Sequence, residues 1–536
     1  MMKQLFLTVL LCVSGISLAA CGRKLPGGPG GIDGYVYVLD ENARTMTADR
    51  TLLKDLEDAT FTAASGATVA LNTGQSAVSG ENGFFSFPGL DPGNYIVTIT
   101  YASYNPLEVS VRVSAGATTH VNQRIPAPEK AWNFLVYLDG DNDLEPFAIQ
   151  DINEMEQIGS GSNVNVLVLI DRIAGYDLSN GDWTGARLYC VKQDADTSTI
   201  NSYLMEDLGE RDMSDPDTLK DFIIYCQKYF PARHTVLTLW NHGGGVYPRT
   251  ASQQDLIVKG SAKKKFKPKK ANAVKGICWD DTAGGDCLTT DEVAKALSDA
   301  RSVTGKKIDI INMDACLMQM LEVAYEWRYE ADYLAGSEET VPGAGNSYNV
   351  LLGHLTGNPS QTAEDFAVTL VDDYNYYYSS TNNTTYSALR LGEYLDSFIG
   401  DFKTMAAALK STSDYAGAHN AFNATTCFAY AENRDLYDFC QELSVRSTDI
   451  AVTSAAGNLI SSFSSMVIHY HNTIPYSSSS PAYGIAVLLP GDSAVWSIYS
   501  SEYPRLKLSA DTEWDEFISG FISRTEKQSK TIENFS

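Results

Sequence analysis

The chain has 536 residues, more than one hydrophobic core usually serves, so two or three folded domains are expected. Hydrophobic residues make up 44% and charged residues 20% of the sequence, which excludes a mainly disordered, collagenous or coiled-coil chain. The 66 acidic and 40 basic residues give a formal net charge of -26, which opposes binding to nucleic acid over most of the surface.

The N-terminus is typical of an export signal. Lys3 precedes an apolar run from Leu5 to Ala20 that is too short to span a membrane. The run ends in Leu18-Ala19-Ala20-Cys21-Gly22, which resembles the lipobox of bacterial lipoproteins and implies acylation of Cys21. A plain cleavage site is the alternative. The sequence thus predicts a signal peptide over residues 1–20 and a protein lipid-anchored to the bacterial cell envelope, at the outer membrane on its periplasmic or surface face.

Changes in composition along the chain predict the domain boundaries. A Gly- and Pro-rich spacer over residues 21–31 is followed by short β-rich runs over 32–126, the pattern of a small β-sandwich. Over residues 130–525, fully apolar runs alternate with helical stretches, which predicts an α/β domain with a mostly parallel sheet covered by helices on both faces. Its predicted strands include Trp132–Leu138, Val164–Ile170, Thr235–Trp240 and Lys307–Ile311, and its predicted helices include Pro216–Tyr229, Thr290–Ala300, Leu317–Arg328 and Tyr386–Leu409.

The first of these domains carries a recognisable pattern of turn and strand residues. Gly66-Ala67-Thr68-Val69, Glu81-Asn82-Gly83-Phe84 and Pro92-Gly93-Asn94-Tyr95 together resemble the carboxypeptidase regulatory-like domain. That resemblance implies a spacer or adhesion module.

Two reactive side chains each follow a predicted strand. His242 opens a His-Gly-Gly-Gly run after Trp240, and Cys316 comes shortly after Ile311. Because ligands of open α/β sheets bind outside the carboxyl ends of the strands, the two side chains are expected to face one cleft. A histidine, and a helix beginning at Cys316, would both lower the pKa of the thiol and favour the nucleophilic thiolate. The alternative is a small core cysteine and a glycine-rich turn.

Further motifs around this pair identify a family. Trp240–Gly245, Asp314–Met318 and Ala331–Glu339 resemble the corresponding segments of the clostripain-like cysteine peptidases. The resemblance covers residues 130–525 and implies a caspase-like sheet and a cysteine endopeptidase acting on proteins or peptides. A monomer is expected.

The resemblance also implies a role for each matching residue. Cys316 would be the nucleophile, and His242 would be the general base and the acid that protonates the leaving amine. The backbone N–H groups of Gly243 and Cys316 would bind the oxyanion. No residue is assigned to orient the imidazole.

The resemblance also implies a substrate preference. Asp314 would lie near the primary specificity pocket, where a carboxylate favours Arg or Lys before the scissile bond. Ala344 departs from the pattern, since many relatives carry a further acidic residue in this segment. Glu338 or Glu339 could replace that residue.

The segment from Lys259 to Lys275 contains eight lysines and no acidic residue. It lies between His242 and Cys316, where relatives are commonly cut during activation, and its charge is typical of an exposed loop. We expect a zymogen that is cleaved in this loop. A simple solvated insertion is the alternative.

No cofactor and no metal site are predicted, with calcium as an open alternative. The spacing of Asp139, Asp141 and Asp143 resembles part of a calcium loop but lacks the later glutamate. Cys278 and Cys287 flank a turn and could form a disulfide or remain two buried thiols.

Two other functions compete with the peptidase. An α/β-hydrolase would also use a His-Gly-Gly-Gly run, but the sequence has no G-x-S-x-G motif. A non-catalytic binding or adhesion lipoprotein with a decayed peptidase fold is the second alternative, and the presence of both His242 and Cys316 argues against it.

Overall fold

The computed structural model describes residues 28–39, 52, 54, 61–102, 104–246 and 276–533. These residues form two compact units, a smaller one built mainly from Ala63–Ala102 and Pro106–Gln123 and a larger one that contains Arg124–Ser536. The predicted signal peptide, Cys21 and the Lys259–Lys275 loop lie outside the described residues.

The smaller unit is all β. One of its sheets joins β4, β3, β6 and β7 in that order, and in the other β1 pairs with β5 and β8. Along β6 the side chains of Tyr95, Val97 and Ile99 are buried while that of Ile96 is 40% exposed, so one face of the sheet forms a core. The predicted all-β N-terminal domain is confirmed. The strands are β1 (Gly30–Leu39), β2 (Phe61–Ala63), β3 (Thr68–Leu71), β4 (Ser76–Val78), β5 (Phe84–Leu90), β6 (Gly93–Thr100), β7 (Leu107–Val113), β8 (Thr118–His120) and β9 (Gln123–Ile125).

The larger unit is built on a nine-stranded sheet with the order β13-β12-β11-β10-β14-β17-β18-β19-β21. The five central strands, β11, β10, β14, β17 and β18, run parallel to one another. Each outer strand, β12 and β13 on one side and β19 and β21 on the other, pairs antiparallel with its inner neighbour. Two short antiparallel pairs, β15 with β16 and β20 with β22, lie outside this sheet. The strands are β10 (Lys130–Gly140), β11 (Val164–Arg172), β12 (Ala186–Cys190), β13 (Tyr203–Gly209), β14 (Ala232–Trp240), β15 (Ile277–Asp280), β16 (Asp286–Leu288), β17 (Ile308–Asp314), β18 (Ala331–Gly336), β19 (Thr385–Arg390), β20 (Asn433–Asp435), β21 (Val467–Asn472) and β22 (Ala486–Leu488).

Helices cover both faces of the sheet. Alternate side chains of β10 enter two different cores, Leu135 and Tyr137 on one face and Phe134 and Val136 on the other, which explains its uninterrupted apolar sequence. The predicted fold is thereby confirmed. Among the described residues, no helix is long and apolar enough to cross a membrane. The helices are α1 (Glu145–Glu156), α2 (Pro216–Tyr229), α3 (Thr290–Thr304), α4 (Leu321–Trp327), α5 (Tyr348–Gly357), α6 (Ala363–Tyr378), α7 (Glu393–Ser411), α8 (Tyr415–Ala424), α9 (Leu436–Arg446), α10 (Ile450–Met466), α11 (Ser493–Tyr499), α12 (Lys507–Thr512) and α13 (Trp514–Glu533), with a 3₁₀ turn at Tyr503–Arg505.

Two predicted helices are wrong in part. The segment after Cys316 does not start a helix, because the N–H groups of Leu317 and Gln319 donate to the carbonyls of Glu339 and Ser337 at 3.1 and 3.0 Å, and α4 begins only at Leu321. The predicted helix over residues 386–409 begins instead as β19, whose side chains are nearly all buried, and only then becomes α7. A buried strand and a buried helix cannot be separated by apolar periodicity over so few residues.

Candidate active site

The candidate site forms where three neighbouring parallel strands, β10, β14 and β17, end. In the register of the sheet, Trp240 lies opposite Leu138 of β10 and opposite Asp314 of β17. His242 and Cys316 each follow two residues beyond this level, so the sheet delivers both side chains to the same edge.

The imidazole of His242 is held by a carboxylate. Its Nε2 lies 2.8 Å from Oδ1 of Asp143, which belongs to the loop after β10, and both side chains are largely buried. The neighbouring Asn241 ties the two loops together, because its amide donates to the carbonyl of Asp139 at 2.7 Å and to that of Trp279 at 3.1 Å. With Nε2 engaged by Asp143, Nδ1 is the nitrogen that remains to exchange a proton.

The thiol of Cys316 is partly buried under the segment that follows β18. Val341 donates its N–H to Sγ at 3.3 Å, and its carbonyl lies 3.8 Å from the same sulfur. The pKa of the thiol is raised to about 11, mainly by burial; the N–H of Val341 opposes this shift, and the negative charges of Glu339 and Asp314 contribute to it. The expected lowering of this pKa by a helix N-terminus is therefore wrong.

The glycines after His242 allow the chain after β14 to pack closely against the chain after β17. A Cβ atom on Gly243 would lie 2.2 Å from the carbonyl oxygen of Cys316, closer than any real side chain can come. Gly244 and Gly245 use their N–H groups inside the protein, donating to the carbonyl of Gly276 at 3.1 Å and to Sδ of Met318 at 3.3 Å. Gly243 is therefore the glycine of this run that suits an oxyanion contact.

Asp314 lies inside the protein, two residues before Cys316. Its side chain is only 4% exposed, and Oδ2 accepts hydrogen bonds from the N–H of Asn346 at 2.9 Å and from the hydroxyl of Tyr348 at 2.8 Å. Burial raises the pKa of this carboxyl group to about 6. Gly345, at a φ of +53°, lies directly over it, so that a Cβ there would come within 2.6 Å of Oδ2.

The two glutamates that could replace the acid missing at Ala344 have different environments. Glu339 accepts a hydrogen bond from the hydroxyl of Tyr476, and its charge acts on Cys316. Glu338 is buried beside Asp435 and accepts from the N–H of Gly484 at 3.2 Å. Of the two carboxylates, Glu339 is the one whose charge raises the pKa of Cys316.

An acidic cluster lies beside the His242 loop. Ligand atoms of Asp141, Glu210 and Asp280 lie within 4.8 Å of one another. Among the described residues, the Oδ2 atoms of Asp139, Asp141 and Asp171 are buried without a hydrogen-bond partner. Burial, which is only partial for Glu210, raises the pKa of all five carboxyl groups, to about 7 for Asp280 and Glu210, and repulsion from neighbouring carboxylates adds to the shift of every one except Asp141.

This cluster alters the calcium interpretation of the sequence. Asp141 belongs to the cluster and Asp139 interacts with it electrostatically, but Asp143 contacts His242 instead. The chemistry of the set, carboxylate oxygens with unused lone pairs, fits a hard divalent cation. Cys278 and Cys287 lie nearby on the β15–β16 hairpin, where both are buried and remain thiols.

A parallel sheet of this order, with histidine and cysteine after two adjacent central strands, defines a caspase-like fold. The profile of the clostripain family, peptidase family C11, matches residues 136–521, and the chain belongs to this family. The carboxypeptidase regulatory-like profile matches residues 56–126.

Individual relatives agree with the assignment. Clostripain of Hathewaya histolytica is 28% identical over 329 residues, a match that covers 56% of this chain and 56% of clostripain, so the chain spans just over half of that relative. A secreted C11 cysteine protease from Bacteroides thetaiotaomicron, solved with an irreversible peptide inhibitor, is 20% identical over 72% of this chain and 99% of its own, with a TM-score of 0.51. An inactive zymogen C11 protease from Parabacteroides distasonis is 21% identical over 72% and 98%, with a TM-score of 0.52. The two structures establish the fold.

Sequence reasoning missed Asp143 and most of the acidic cluster. Asp143 is 99 residues from His242 in the chain, and its spacing from Asp141 suggested calcium instead. Glu210 follows β13 and Asp280 ends β15, and neither strand carries a sequence signal that it lies close to the loop after β10. The one available signal was the position of the acidic loop directly after β10, at the same sheet edge as His242.

Gly243→Ala is expected to lower kcat/KM by about 100-fold, because a displacement of about 1 Å at a reacting centre has that effect. The added Cβ must push the strand end of His242 away from Cys316. Hydrolysis of a peptide substrate measures the loss, and Gly161→Ala, where a Cβ meets open space, is the matched control. Wild-type activity in Gly243→Ala would contradict the close packing.

Proposed function

We propose that the chain is a cysteine endopeptidase in which Cys316 is the nucleophile and His242 the proton carrier. The observation that carries this proposal is the convergence of Asp143, His242 and Cys316 after three adjacent strands. Membership of the clostripain family supports the reaction class. One structural relative is a C11 cysteine protease solved with an irreversible peptide inhibitor, and another is a C11 protease in an inactive zymogen form.

Acylation follows from this arrangement. Asp143 accepts the Nε2–H of His242, so Nδ1 carries the lone pair that removes the proton from Sγ of Cys316. The thiolate adds to the scissile carbonyl carbon, and the carbonyl oxygen becomes an oxyanion. The N–H groups of Gly243 and Cys316 donate to that oxygen.

Collapse of the tetrahedral intermediate breaks the C–N bond. His242 returns its proton from Nδ1 to the leaving amine, which leaves a thioester on Cys316. Water then attacks the thioester with His242 as the base, releases the carboxylic acid product and restores the thiol.

We propose that activation requires cleavage between Lys259 and Lys275. Two features of the described residues support a resting, uncleaved state. The thiol of Cys316 is covered by Val341, and burial holds its pKa at about 11, so it stays protonated at neutral pH. The name of one structural relative also describes an inactive zymogen.

The proposed preference for Arg or Lys rests on negative charge beside the nucleophile. Asp314 and Glu339 both act electrostatically on Cys316, and a cationic substrate side chain would be drawn to the same place. Because Asn346 and Tyr348 already bond Asp314, a substrate would contact it only if the loop carrying Gly345 shifts.

A panel of fluorogenic peptides that vary the residue before the scissile bond tests this function. Wild type is expected to cleave after Arg or Lys, and Cys316→Ala to lower the rate by roughly 10⁴-fold or more. Mass spectrometry of the same samples reports cleavage between Lys259 and Lys275.

Each outcome of the panel has a distinct meaning. Activity with an intact chain would refute activation by cleavage, and activity confined to other residues would refute the basic preference. A folded, cleaved wild type that hydrolyses no peptide would refute the peptidase and favour a binding lipoprotein.

Asp143→Asn is expected to reduce kcat by roughly 10²- to 10⁴-fold with little change in KM, because the imidazole loses the partner that fixes its orientation and tautomer. Alkylation of Cys316 by iodoacetamide should slow in parallel, a readout that a purely structural role would not move. Asp309→Asn is the matched control, since it removes a similar contact of 2.7 Å to His234 at the opposite ends of β14 and β17. Equal losses in the two variants would refute an orienting role for Asp143.

We further propose that calcium binds the acidic cluster through Asp141, Glu210 and Asp280. Calcium takes six to eight oxygen ligands, and the buried, unpartnered oxygens of Asp139 and Asp171 belong to carboxyl groups that interact electrostatically with this cluster. Glu210 is exposed, which gives an ion access from solvent. When bound, calcium would supply positive charge that fixes the loop leading to Asp143.

In the absence of calcium, thermal stability should fall as the pH rises from about 4 to 7. The reason is that burial raises the pKa of Asp280 and Glu210 to about 7, so that in this range the folded protein binds more protons than the unfolded chain. Calcium replaces those protons and should raise the Tm most at pH 7 and above. Differential scanning fluorimetry of Cys316→Ala measures the effect without self-cleavage.

Glu210→Gln should abolish the calcium-dependent rise, whereas Glu393→Gln, an exposed carboxylate outside the cluster, should keep it. A calcium response of equal size in both variants would place the ion elsewhere.

We propose that the mature protein is exported and attached to the cell envelope through lipid on Cys21. The sequence around Cys21 supports this, and a structural relative is described as secreted. Incorporation of labelled palmitate into wild type but not into Cys21→Ser is the check.

A further inference from the structure

A second group of metal-binding side chains lies on the edge strand of the large sheet. His469 and His471 belong to β21, and Asp372 belongs to α6, which packs against that strand. Because side chains two residues apart on a strand point the same way, both imidazoles face the helix. Nothing in the proposed peptidase reaction uses these residues.

The three ligand atoms form a compact triangle. Nε2 of His469 and Nε2 of His471 lie 2.8 and 3.2 Å from the same oxygen, Oδ1 of Asp372, and all three atoms lie within 4.8 Å of one another. The imidazole rings are 4.8 Å apart and almost perpendicular, so the two nitrogens converge without the rings stacking. In a tetrahedral zinc site with bonds of 2.0 to 2.1 Å, donor atoms are separated by about 3.3 Å. Small movements would bring the observed atoms to that spacing.

The type of ligand selects the kind of ion. Imidazole nitrogen suits zinc, copper and nickel, whereas calcium and magnesium prefer oxygen alone. Two histidines and one carboxylate supply three protein ligands, which leaves a fourth tetrahedral position for water or another ligand. The side chains are 30% to 53% exposed, so an ion can enter directly from solvent.

A nearby pair shows what an ordinary ion pair looks like in this protein. His354 lies 2.9 Å from Asp373, the next residue of α6, and this carboxylate has one histidine partner among the described residues. Asp372 instead contacts two imidazoles through one oxygen, Oδ1. An ordinary hydrogen bond or ion pair needs only one of these two imidazoles. We propose that Asp372, His469 and His471 form a zinc site that cross-links α6 to the edge strand β21.

Binding of zinc to tag-free, full-length Cys316→Ala tests the proposal, because this background removes the thiol beside His242 as a competing ligand. Isothermal titration calorimetry in the presence of calcium is expected to show one saturable zinc equivalent. The double variant H469Q/H471Q should lose it, with affinity reduced at least about tenfold. His354→Gln is the matched control and should bind as the parent does.

A spectroscopic measurement identifies the metal ligands independently of the binding affinity. Cobalt in place of zinc should give visible absorption typical of a low-coordinate nitrogen and oxygen site, absent in H469Q/H471Q. Circular dichroism confirms that the double variant is folded. Zinc binding that persists in a folded H469Q/H471Q variant, or no saturable binding by the parent, would overturn the proposal.

Discussion

Parallel pairing of β10, β14 and β17 is the constraint on which the candidate site depends. Leu138, Trp240 and Asp314 lie side by side in the sheet. The number of residues after each of them therefore sets how far beyond the sheet edge the next side chains lie. Since side chains alternate between the faces of a strand, a slip of one residue would send His242 or Cys316 toward the wrong side. The buried apolar side chains of these strands, divided between two cores, make such a slip costly.

The sequence reveals the centre of this architecture better than its edges. The central strands are uninterrupted apolar runs, because helices cover both of their sides. Strand β19, which lies next to the edge strand β21, resembles a helix in its apolar spacing, since it too is almost fully buried. His242 and Cys316 could be predicted because each follows such a run, whereas the contact between Asp143 and His242 joins distant parts of the chain that only folding brings together.

Electrostatic effects at Cys316 act in two opposed directions. Asp314 and Glu339 hold negative charge near Cys316, which disfavours the thiolate, while the same charge would attract a basic substrate side chain. A cationic group entering the site would offset that repulsion and lower the pKa of the thiol. In the proposed peptidase, substrate binding and activation of the thiol would thereby be coupled through one local field.

The packing around Gly243 has a consequence for the protein after a cut in the basic loop. Gly243 pairs with Ile277, and the N–H of Gly244 donates to the carbonyl of Gly276, so the two sides of the intervening segment are fastened together. A cut there would place His242 and Cys316 on separate polypeptides that remain joined through β14 and β17. The resulting enzyme would be a non-covalent heterodimer, whose fragments must reassociate correctly after denaturation for activity to return.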